Sequence, residues 1–339
     1  MGRTRTYRAA EDCLSVRAAW LHFIGGLTQT EVAARLGVSS VKAHRLIMRA
    51  QKIGAVRVSV IGNIAECASL EKQFSDRYGL DYCEIVPEID DTAMPLHELG
   101  VAGAAFLERE INSGQCSVIG IGNGRAIASL VSEIPHGNLS GISFVSMLGG
   151  LTRNFAANPF DVIHRLAEKT NSPSYAMPVP FFANTSADRD VLLAQRGVQE
   201  VLALANRADL ILVGIGAVAA GANLVASHVV EPEEIMAVAR AGGAGEMLGH
   251  FFDSAGQPMR TSLTDRALVP PLESLQGRRV VAIAGGGEKI TPISAVLASG
   301  YLRGLITSES TARAILDKDY KREVSTSSDT VQTQVGVVA

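Results

Sequence analysis

The segment CSVIGIGNGRAIASLVSEI, residues 116–134, decides the fold of most of this 339-residue chain. Its first six residues, 116–121, form a short apolar run and predict a buried strand. The glycines that follow predict a tight loop, and residues 124–134 have the apolar spacing of a helix. A strand, a glycine-rich loop and a helix in succession indicate one unit of a mostly parallel α/β sheet.

The same alternation continues along the chain. Further strands are predicted at residues 82–86, 141–148, 174–179, 209–214, 279–284 and 304–307. Helices are predicted at residues 64–78, 95–113, 159–170 and 188–207, and one more follows each of the last two strands. Nearly continuous aliphatic strands are typical of a sheet covered on both faces. The predicted fold class is therefore α/β, with a large, mostly parallel domain at residues 58–320 and a loose C-terminal tail at 321–339.

The N-terminal residues 1–57 differ from the rest in charge. They carry a net charge of +7, whereas the remainder carries −10. A basic segment attached to an acidic body indicates a polyanionic partner for the basic segment. Residues 55–60 alternate in polarity and predict a short strand, either a wing or a linker between the two parts.

Three helices are predicted in the basic segment. Residues 12–24 should form the first, with Leu14, Ala18, Leu21 and Ile24 near one face. Thr28 should cap the second, since Glu31 three residues later completes a capping box. That helix should end at a turn containing Gly37, and a third should run from Ser39 or Ser40 to just before Gly54. This is the pattern of a DNA-binding helix-turn-helix, so residues 1–57 are predicted to be a DNA-binding domain.

The predicted DNA-binding residues are donors and cations at these helices. They are Thr28, Gln29, Ser39, Ser40, Lys42, His44, Arg45 and Arg49. Ser40 and Lys42 are expected to contact base edges, and Arg45 and Arg49 to contact phosphate. One such domain reads only a few base pairs of duplex DNA, so a homo-oligomer is expected. The alternative is a plain helical hairpin with a solvated basic face.

Several classes of protein are not supported by the sequence. The four cysteines lack the spacing of a zinc site or a disulfide framework, so no metal and a reducing cytoplasm are expected. The N-terminus lacks an apolar signal segment, and the longest apolar run, about residues 210–226, is interrupted by glycines, so no membrane partner is expected. GIGNGRA departs from the dinucleotide fingerprint and no P-loop is present, so no cofactor is predicted.

The glycine clusters predict a single pocket. Besides residues 120–124, they comprise Gly149 and Gly150, residues 214–216 and residues 285–287, each after a predicted strand. The carboxyl ends of parallel strands form the ligand crevice of open α/β sheets, and backbone N–H groups there can hold an anion or a hydroxyl-rich ligand.

Several long blocks, in order, resemble the SorC family of bacterial sugar-sensing transcription regulators. They include LTQTEVAARLGVSSVKAHRLI, VIGIGNGRAIASL, VSMLGG, ADLILVGIG, GAGEMLGHFFD and AGGGEKITPISAVLASGYLRGLITSESTARAIL. The resemblance covers about residues 12–317. Through LGGLTRNFAANP and PVPFFANTSADRDVLLAQRGV it is greatest to regulators of erythritol or related polyol catabolism. It implies a repressor, a tetramer, and a sugar-binding domain related to the ribose-phosphate isomerase and CoA-transferase folds, without catalysis.

The resemblance also implies where an effector binds. The implied residues are Gly122, Asn123, Gly124, Arg125, Gly149, Gly150, Arg153, Asn154, Asn158, Gly216, Glu246 and Lys289. Members that sense phosphorylated sugars tend to carry a hydroxyl residue where this chain has Ala126. Leu148 precedes the Gly149 turn, so no lysine stands there for a Schiff base. We therefore expect a non-covalent effector and favour an unphosphorylated polyol over a sugar phosphate, although Arg125 could still bind a phosphate.

Other interpretations of these residues stay open in the sequence. The glycines can serve turns alone, Asn158 can cap a helix, Glu246 can pair with a cation, and Lys289 can lie on the surface. The chain could be a sugar-phosphate isomerase-like enzyme that carries a basic N-terminal segment and uses Glu246 or Asp253 as the general base. It could also be an architectural oligomer that binds no ligand.

Overall fold

The computed structural model describes residues 2–56, 65–88, 95–139, 141–150 and 162–320. The chain divides into two compact units, Met1–Gly62 and Asn63–Ala339. The predicted strand at 55–60 and the predicted tail at 321–339 fall mostly or wholly outside the described residues. Within the described residues, every helix is too short or too polar to span a lipid bilayer.

The first unit, here called the head, consists of three helices. Helix α1 (Gly2–Ala19) continues into a π-helical turn (Trp20–Ile24) and is followed by α2 (Gln29–Leu36) and α3 (Ser40–Lys52). Buried small and aliphatic side chains from all three helices form its core. They are Ala18, Leu21, Val32, Ala33, Ala43, Leu46 and Ile47.

The caps predicted for the head are present. The Thr28 hydroxyl accepts from the Glu31 N–H at 3.3 Å, and the Glu31 carboxylate accepts from the Thr28 N–H at 2.8 Å. Gly37 ends α2 with φ of 65°, in the left-handed region that glycine adopts without strain. The Ser39 hydroxyl accepts from the N–H of Lys42 and begins α3. Local hydrogen bonds therefore fix both ends of the connection between α2 and α3.

The prediction that Ile24 joins the apolar face of α1 is wrong, since it is 73% exposed. The π-helical turn at Trp20–Ile24 is the physical reason, because its wider i→i+5 turn moves Ile24 out of line with Ala18 and Leu21. The Gly25 N–H donates to the Trp20 carbonyl and closes this turn.

The second unit is built on a seven-stranded, wholly parallel sheet. Its strands are β1 (Tyr82–Val86), β2 (Val118–Ile121), β3 (Ser143–Gly150), β4 (Ser174–Pro180), β5 (Leu210–Val213), β9 (Val280–Ile283) and β10 (Gly304–Ser308). The spatial order is β1-β10-β9-β5-β2-β3-β4. The order β9-β5-β2 at the centre brings together strands that are far apart in sequence.

Helices cover this sheet. They are α4 (Ala65–Tyr78), α5 (Leu96–Asn112), α6 (Arg125–Glu133), α7 (Val162–Thr170), α8 (Ser186–Leu193), α9 (Arg196–Ala205), α10 (Asn223–Ala226), α11 (Pro232–Arg240), α12 (Ile290–Ala298) and α13 (residues 309–320). Alternate strand residues enter two different apolar clusters, as Val280 and Val281 do. The helical stretches predicted at 188–207 are α8 and α9, and the helix predicted at 159–170 begins outside the described residues.

A small antiparallel sheet was not predicted. It contains β6 (Gly243–Met247), β7 (His250–Asp253) and β8 (Pro258–Met259). Leu248 and Gly249 form the turn between β6 and β7, with φ of 52° and 76°. A leucine rarely adopts a positive φ, so a turn at Leu248 was not predictable from its residue type. Asp253, one of the candidate bases, accepts from the N–H groups of Ala255 and Gln257 and is therefore a turn residue.

Candidate functional site

A cavity lies at the carboxyl ends of the central strands β2, β5 and β9. It encloses about 800 Å³ of space outside protein atoms, including the part open to solvent. The three loops that follow these strands contribute Asn123, Gly216 and Gly285 to its wall. This is the position expected for a ligand crevice in an open α/β sheet.

Six of the predicted effector residues line this cavity. They are Asn123, Gly124, Arg125, Gly216, Glu246 and Lys289. Gly122 lies behind the wall, and a Cβ there would be 3.2 Å from the Leu212 carbonyl oxygen. Gly122 thus allows β2 and β5 to approach each other, and it supports the cavity rather than lining it.

The structure does not place Gly149 and Gly150 in the cavity wall, which corrects their predicted role. A Cβ on Gly149 would be 2.2 Å from the Pro180 carbonyl oxygen, because β3 and β4 approach closely at an irregularity in their register. The Gly150 carbonyl accepts from the Phe181 N–H at 3.0 Å. Both glycines therefore serve strand pairing. Arg153, Asn154 and Asn158 lie outside the described residues.

Glu246 is held in the cavity wall by its neighbours. Its backbone exchanges two hydrogen bonds with Gly216, at 2.8 and 3.0 Å, and its Oε1 accepts from the Gly249 N–H at 2.6 Å. A Cβ on Gly216 would be 2.1 Å from Oε2 of Glu246, so only glycine leaves room for this carboxyl group. Only 8% of Glu246 is exposed, and burial raises the pKa of its carboxyl group.

Lys289 also lines the cavity. It precedes α12, and its Nζ donates to the Ile215 carbonyl oxygen at 2.9 Å. Burial lowers the pKa of its ammonium group. The surface position considered for Lys289 is therefore wrong, since only 8% of the residue is exposed. Glu246 and Lys289 supply a buried acceptor and a buried donor to the same cavity.

Arg125 begins α6 at the edge of the cavity. The preceding Gly124 has φ of 129°, and no side chain caps this helix. Nη2 of Arg125 lies 2.8 Å from Oε1 of Glu288, which is in the turn before α12. The Asn123 Oδ1 accepts from the Gly124 N–H at 2.6 Å and orients the loop between β2 and α6.

Sequence reasoning missed the apolar part of the wall and one polar residue. The apolar part of the wall consists of Leu148, Phe181, Leu224 and Leu248. The additional polar residue is Asn223, at the start of α10. These leucines and Phe181 look like core residues in the sequence, and no local signal distinguishes them. Asn223 could have been found, because it is a polar residue within the apolar run that follows β5.

The head presents most of the predicted DNA-binding residues to solvent. Thr28, Gln29, Ser39, Ser40, Lys42, His44 and Arg45 are all exposed. Ala43, Leu46 and Ile47 are buried on the opposite face of α3. The exposed face therefore carries donors and cations on a helix that is held by its apolar face.

Arg49 differs from the other predicted DNA-binding residues. Its Nε and Nη2 each lie 2.8 Å from Oδ1 of Asp12, and its Nη1 lies 3.7 Å from Glu11. Its side chain is only 32% exposed. Arg49 is thus less exposed than a side chain that contacts phosphate is expected to be, because its guanidinium connects α3 to α1.

Comparisons with known proteins agree with this architecture. The family model described as "Putative sugar-binding domain" matches residues 62–317. The erythritol catabolism regulatory protein EryD of Brucella abortus is 55% identical over 307 residues, which cover 91% of this chain and 97% of EryD. The transcriptional regulator LsrR of Klebsiella pneumoniae is 29% identical over 311 residues, which cover 91% of this chain and 94% of LsrR.

A solved structure of a transcription regulator also superposes on this chain. The full-length sorbitol operon regulator SorC of Klebsiella pneumoniae superposes with a TM-score of 0.66 and 25% identity, covering 91% of this chain and 99% of SorC. These relatives are transcription regulators, so the chain is a regulator with a sugar-binding domain rather than a sugar-phosphate isomerase. The chain belongs to the SorC family of sugar-binding transcription regulators.

Proposed function

We propose that the chain represses a carbohydrate or polyol catabolic operon and that a short polyol releases it from operator DNA. The effector proposed is erythritol or its phosphate. The observation that carries the effector site is the pair of buried polar residues, Glu246 and Lys289, in one cavity at the strand ends. The 55% identity to EryD over nearly its whole length supports erythritol as the polyol.

The head is proposed to bind double-stranded DNA as a helix-turn-helix domain. In this arrangement α3 enters the major groove, where Ser40, Lys42 and His44 meet base edges and Arg45 meets phosphate. Thr28 and Gln29 at the start of α2 are placed for backbone contacts. The exposure of these side chains and the apolar anchoring of α3 support this orientation.

An uncharged polyol suits the cavity chemically. Each of its hydroxyl groups donates one hydrogen bond and accepts others, so it needs both kinds of partner. Oε2 of Glu246 is an acceptor, Nζ of Lys289 is a donor, and the amides of Asn123 and Asn223 offer both. The apolar side chains of Leu148 and Leu248 can cover the carbon backbone of the ligand.

Regulation requires that the effector bind one state of the protein better than another. A 30-fold change in operator affinity needs about 2 kcal/mol of differential binding. We propose a cytoplasmic homo-oligomer, a dimer or tetramer, because two heads on one assembly can read two half-sites of an operator.

The test measures operator binding with and without effector. A fluorescein-labelled duplex from the region upstream of the regulated operon is titrated with protein, and anisotropy is recorded at increasing erythritol. We expect specific binding that weakens about 30-fold at saturating erythritol. Mannitol, a six-carbon polyol, is the control ligand. Operator binding that responds to neither erythritol nor its phosphate would contradict the proposed function.

A further inference from the structure

The ion pair between Arg125 and Glu288 lies next to the effector cavity, because Arg125 lines the cavity wall and Glu288 is its partner. Arg125 is the first residue of α6, which follows β2, and Glu288 precedes α12, which follows β9. Strand β5 lies between β2 and β9, so the pair joins the two loops that flank the carboxyl end of β5. Its side chains are 38% and 54% exposed, which makes the pair reachable by a ligand that enters from solvent.

The charges around the cavity are balanced. Two cations, Arg125 and Lys289, are matched by two carboxyl groups, Glu246 and Glu288. These four groups are close enough to act on one another, since both carboxylates raise the pKa of Lys289 and Arg125 lowers it. The guanidinium of Arg125 is already neutralised by Glu288 at 2.8 Å. Glu288 does not line the cavity, but because it is paired with the lining residue Arg125, these four groups together offer no excess of positive charge to an anion.

We propose that Glu288 is a specificity-determining residue that makes the cavity select an uncharged polyol over the corresponding phosphate. This inference rests on the proposed function, because it concerns the same effector cavity. A phosphate at Arg125 must either displace Glu288 from its ion pair or bind beside that carboxylate, and both arrangements place two anions near each other. A polyol hydroxyl has no such requirement and can bind with the ion pair intact.

The competing arrangement uses Arg125 as a phosphate anchor. The first N–H groups of α6 are not capped by a side chain, and Glu288 could turn toward solvent when a phosphate arrives. That arrangement predicts a preference for the phosphate in the native protein, which is opposite to our expectation.

The experiment is calorimetric titration of the full chain with erythritol, erythritol phosphate and inorganic phosphate, comparing wild type with Glu288→Gln. We expect the wild type to bind erythritol more tightly than erythritol phosphate. In Glu288→Gln, affinity for the two phosphate ligands should rise roughly tenfold, because Arg125 is released to make a charge-assisted contact. Erythritol affinity should change less than about twofold, since its contacts do not involve the charge at position 288.

Two further variants make the test specific. Glu200→Gln removes one carboxylate from a similar ion pair on α9, where Arg196 Nε lies 2.9 Å from Glu200 Oε1, and Glu200 is not in the cavity wall. It should leave all three affinities unchanged. In Arg125→Gln/Glu288→Gln the gain in phosphate affinity should disappear, which attributes the gain to the released guanidinium.

The inference is overturned if the wild type prefers erythritol phosphate, or if Glu288→Gln leaves the ratio of the affinities unchanged. It is also overturned if neither protein binds any of the three ligands. A separate outcome concerns the proposed function alone. If the selectivity changes as expected while operator binding responds to no ligand, the role of Glu288 stands and regulation by this cavity fails.

Discussion

The head and the sugar-binding unit place their functional residues in opposite ways. The proposed DNA-binding side chains lie within residues 28–45 and are exposed on two short helices. The cavity residues extend from Leu96 to Lys289, and the loops that carry its polar residues meet because β2, β5 and β9 are neighbours in the sheet. The exposed face of the head is determined by local apolar periodicity and helix caps. The cavity depends on the order of the strands in the sheet and on places where two backbone segments approach each other closely.

The largest effect should come from separating the two functions. Lys42→Ala combined with Arg45→Ala should weaken operator binding about 100-fold or more, because each lost contact to base or phosphate costs roughly 1–3 kcal/mol. Erythritol binding, measured by calorimetry, should stay unchanged. Lys72→Ala removes an exposed lysine from α4 and serves as the control for the loss of a positive charge. If the double variant keeps its operator affinity, the assignment of DNA binding to the head and of effector binding to the cavity is contradicted.

The second prediction concerns the close approach at Gly216. Gly216→Ala should weaken erythritol binding about tenfold, because the added Cβ would displace the Glu246 carboxylate, a charged acceptor. Gly221→Ala is the matched control, since a Cβ there meets nothing within 4 Å. Calorimetry measures the affinity and thermal denaturation checks the fold. Equal affinities for the two variants would show that Glu246 does not need its present position.

The third prediction concerns the pH dependence of stability. Burial makes the pKa of Glu246 higher in the folded state than in the unfolded state. The contribution of Glu246 to the free energy of unfolding is therefore fully present below the unfolded-state pKa and is lost as pH rises through the folded-state pKa. Glu246→Gln cannot ionise, and its Oε1 can still accept from the Gly249 N–H. At pH 8 the variant should therefore melt about 2–4 °C above wild type, which corresponds to about 1 kcal/mol.

The advantage of Glu246→Gln should shrink as pH is lowered toward 4.5, as followed by thermal denaturation across this range. Glu246 and Lys289 act on each other's pKa, so the difference between the melting temperatures reports on this buried pair. The same variant should bind erythritol less tightly. A constant difference at every pH would mean that the buried carboxyl group does not set the pH dependence.

The smallest effect is expected at Arg49. Arg49→Ala should destabilise the head by about 0.5–1 kcal/mol, because a half-exposed ion pair contributes little. Lys52→Ala, at an exposed residue near the end of α3, should change stability less. Chemical denaturation followed by the fluorescence of the single tryptophan, Trp20, reports on the head directly. A loss of operator affinity as large as that of the double variant would restore Arg49 as a DNA contact.

The order of helices and strands was largely predictable from sequence, and the cavity was predictable only in part. Capping residues such as Thr28 and runs such as LILV carry their structure locally, so their elements appear where expected. Glu246 and Lys289 came from the family resemblance, and the structure brings both into the cavity wall.

The remaining features are not local. Gly149 looks like a loop glycine, yet its environment is set by Pro180 on the neighbouring strand. Arg49 looks like a free cation until α1 brings Asp12 to it. Leu248 gives no sign of a positive φ because the turn is imposed by the pairing of β6 with β7. Each of these depends on a partner distant in sequence or in the sheet.

The backbone bridge between Gly216 and Glu246 has a mechanical consequence. It is an isolated antiparallel contact that joins the loop after β5 to the first strand of the small sheet. A ligand that contacts the Glu246 carboxyl group therefore contacts a residue of β6. Helix α12 packs against the same strand at Gly245, where a Cβ would be 2.7 Å from the Pro292 carbonyl oxygen. Such tight packing transmits a displacement instead of absorbing it. The close approaches at Gly216 and Gly245 therefore connect the effector cavity to the hairpin of β6 and β7 and to α12.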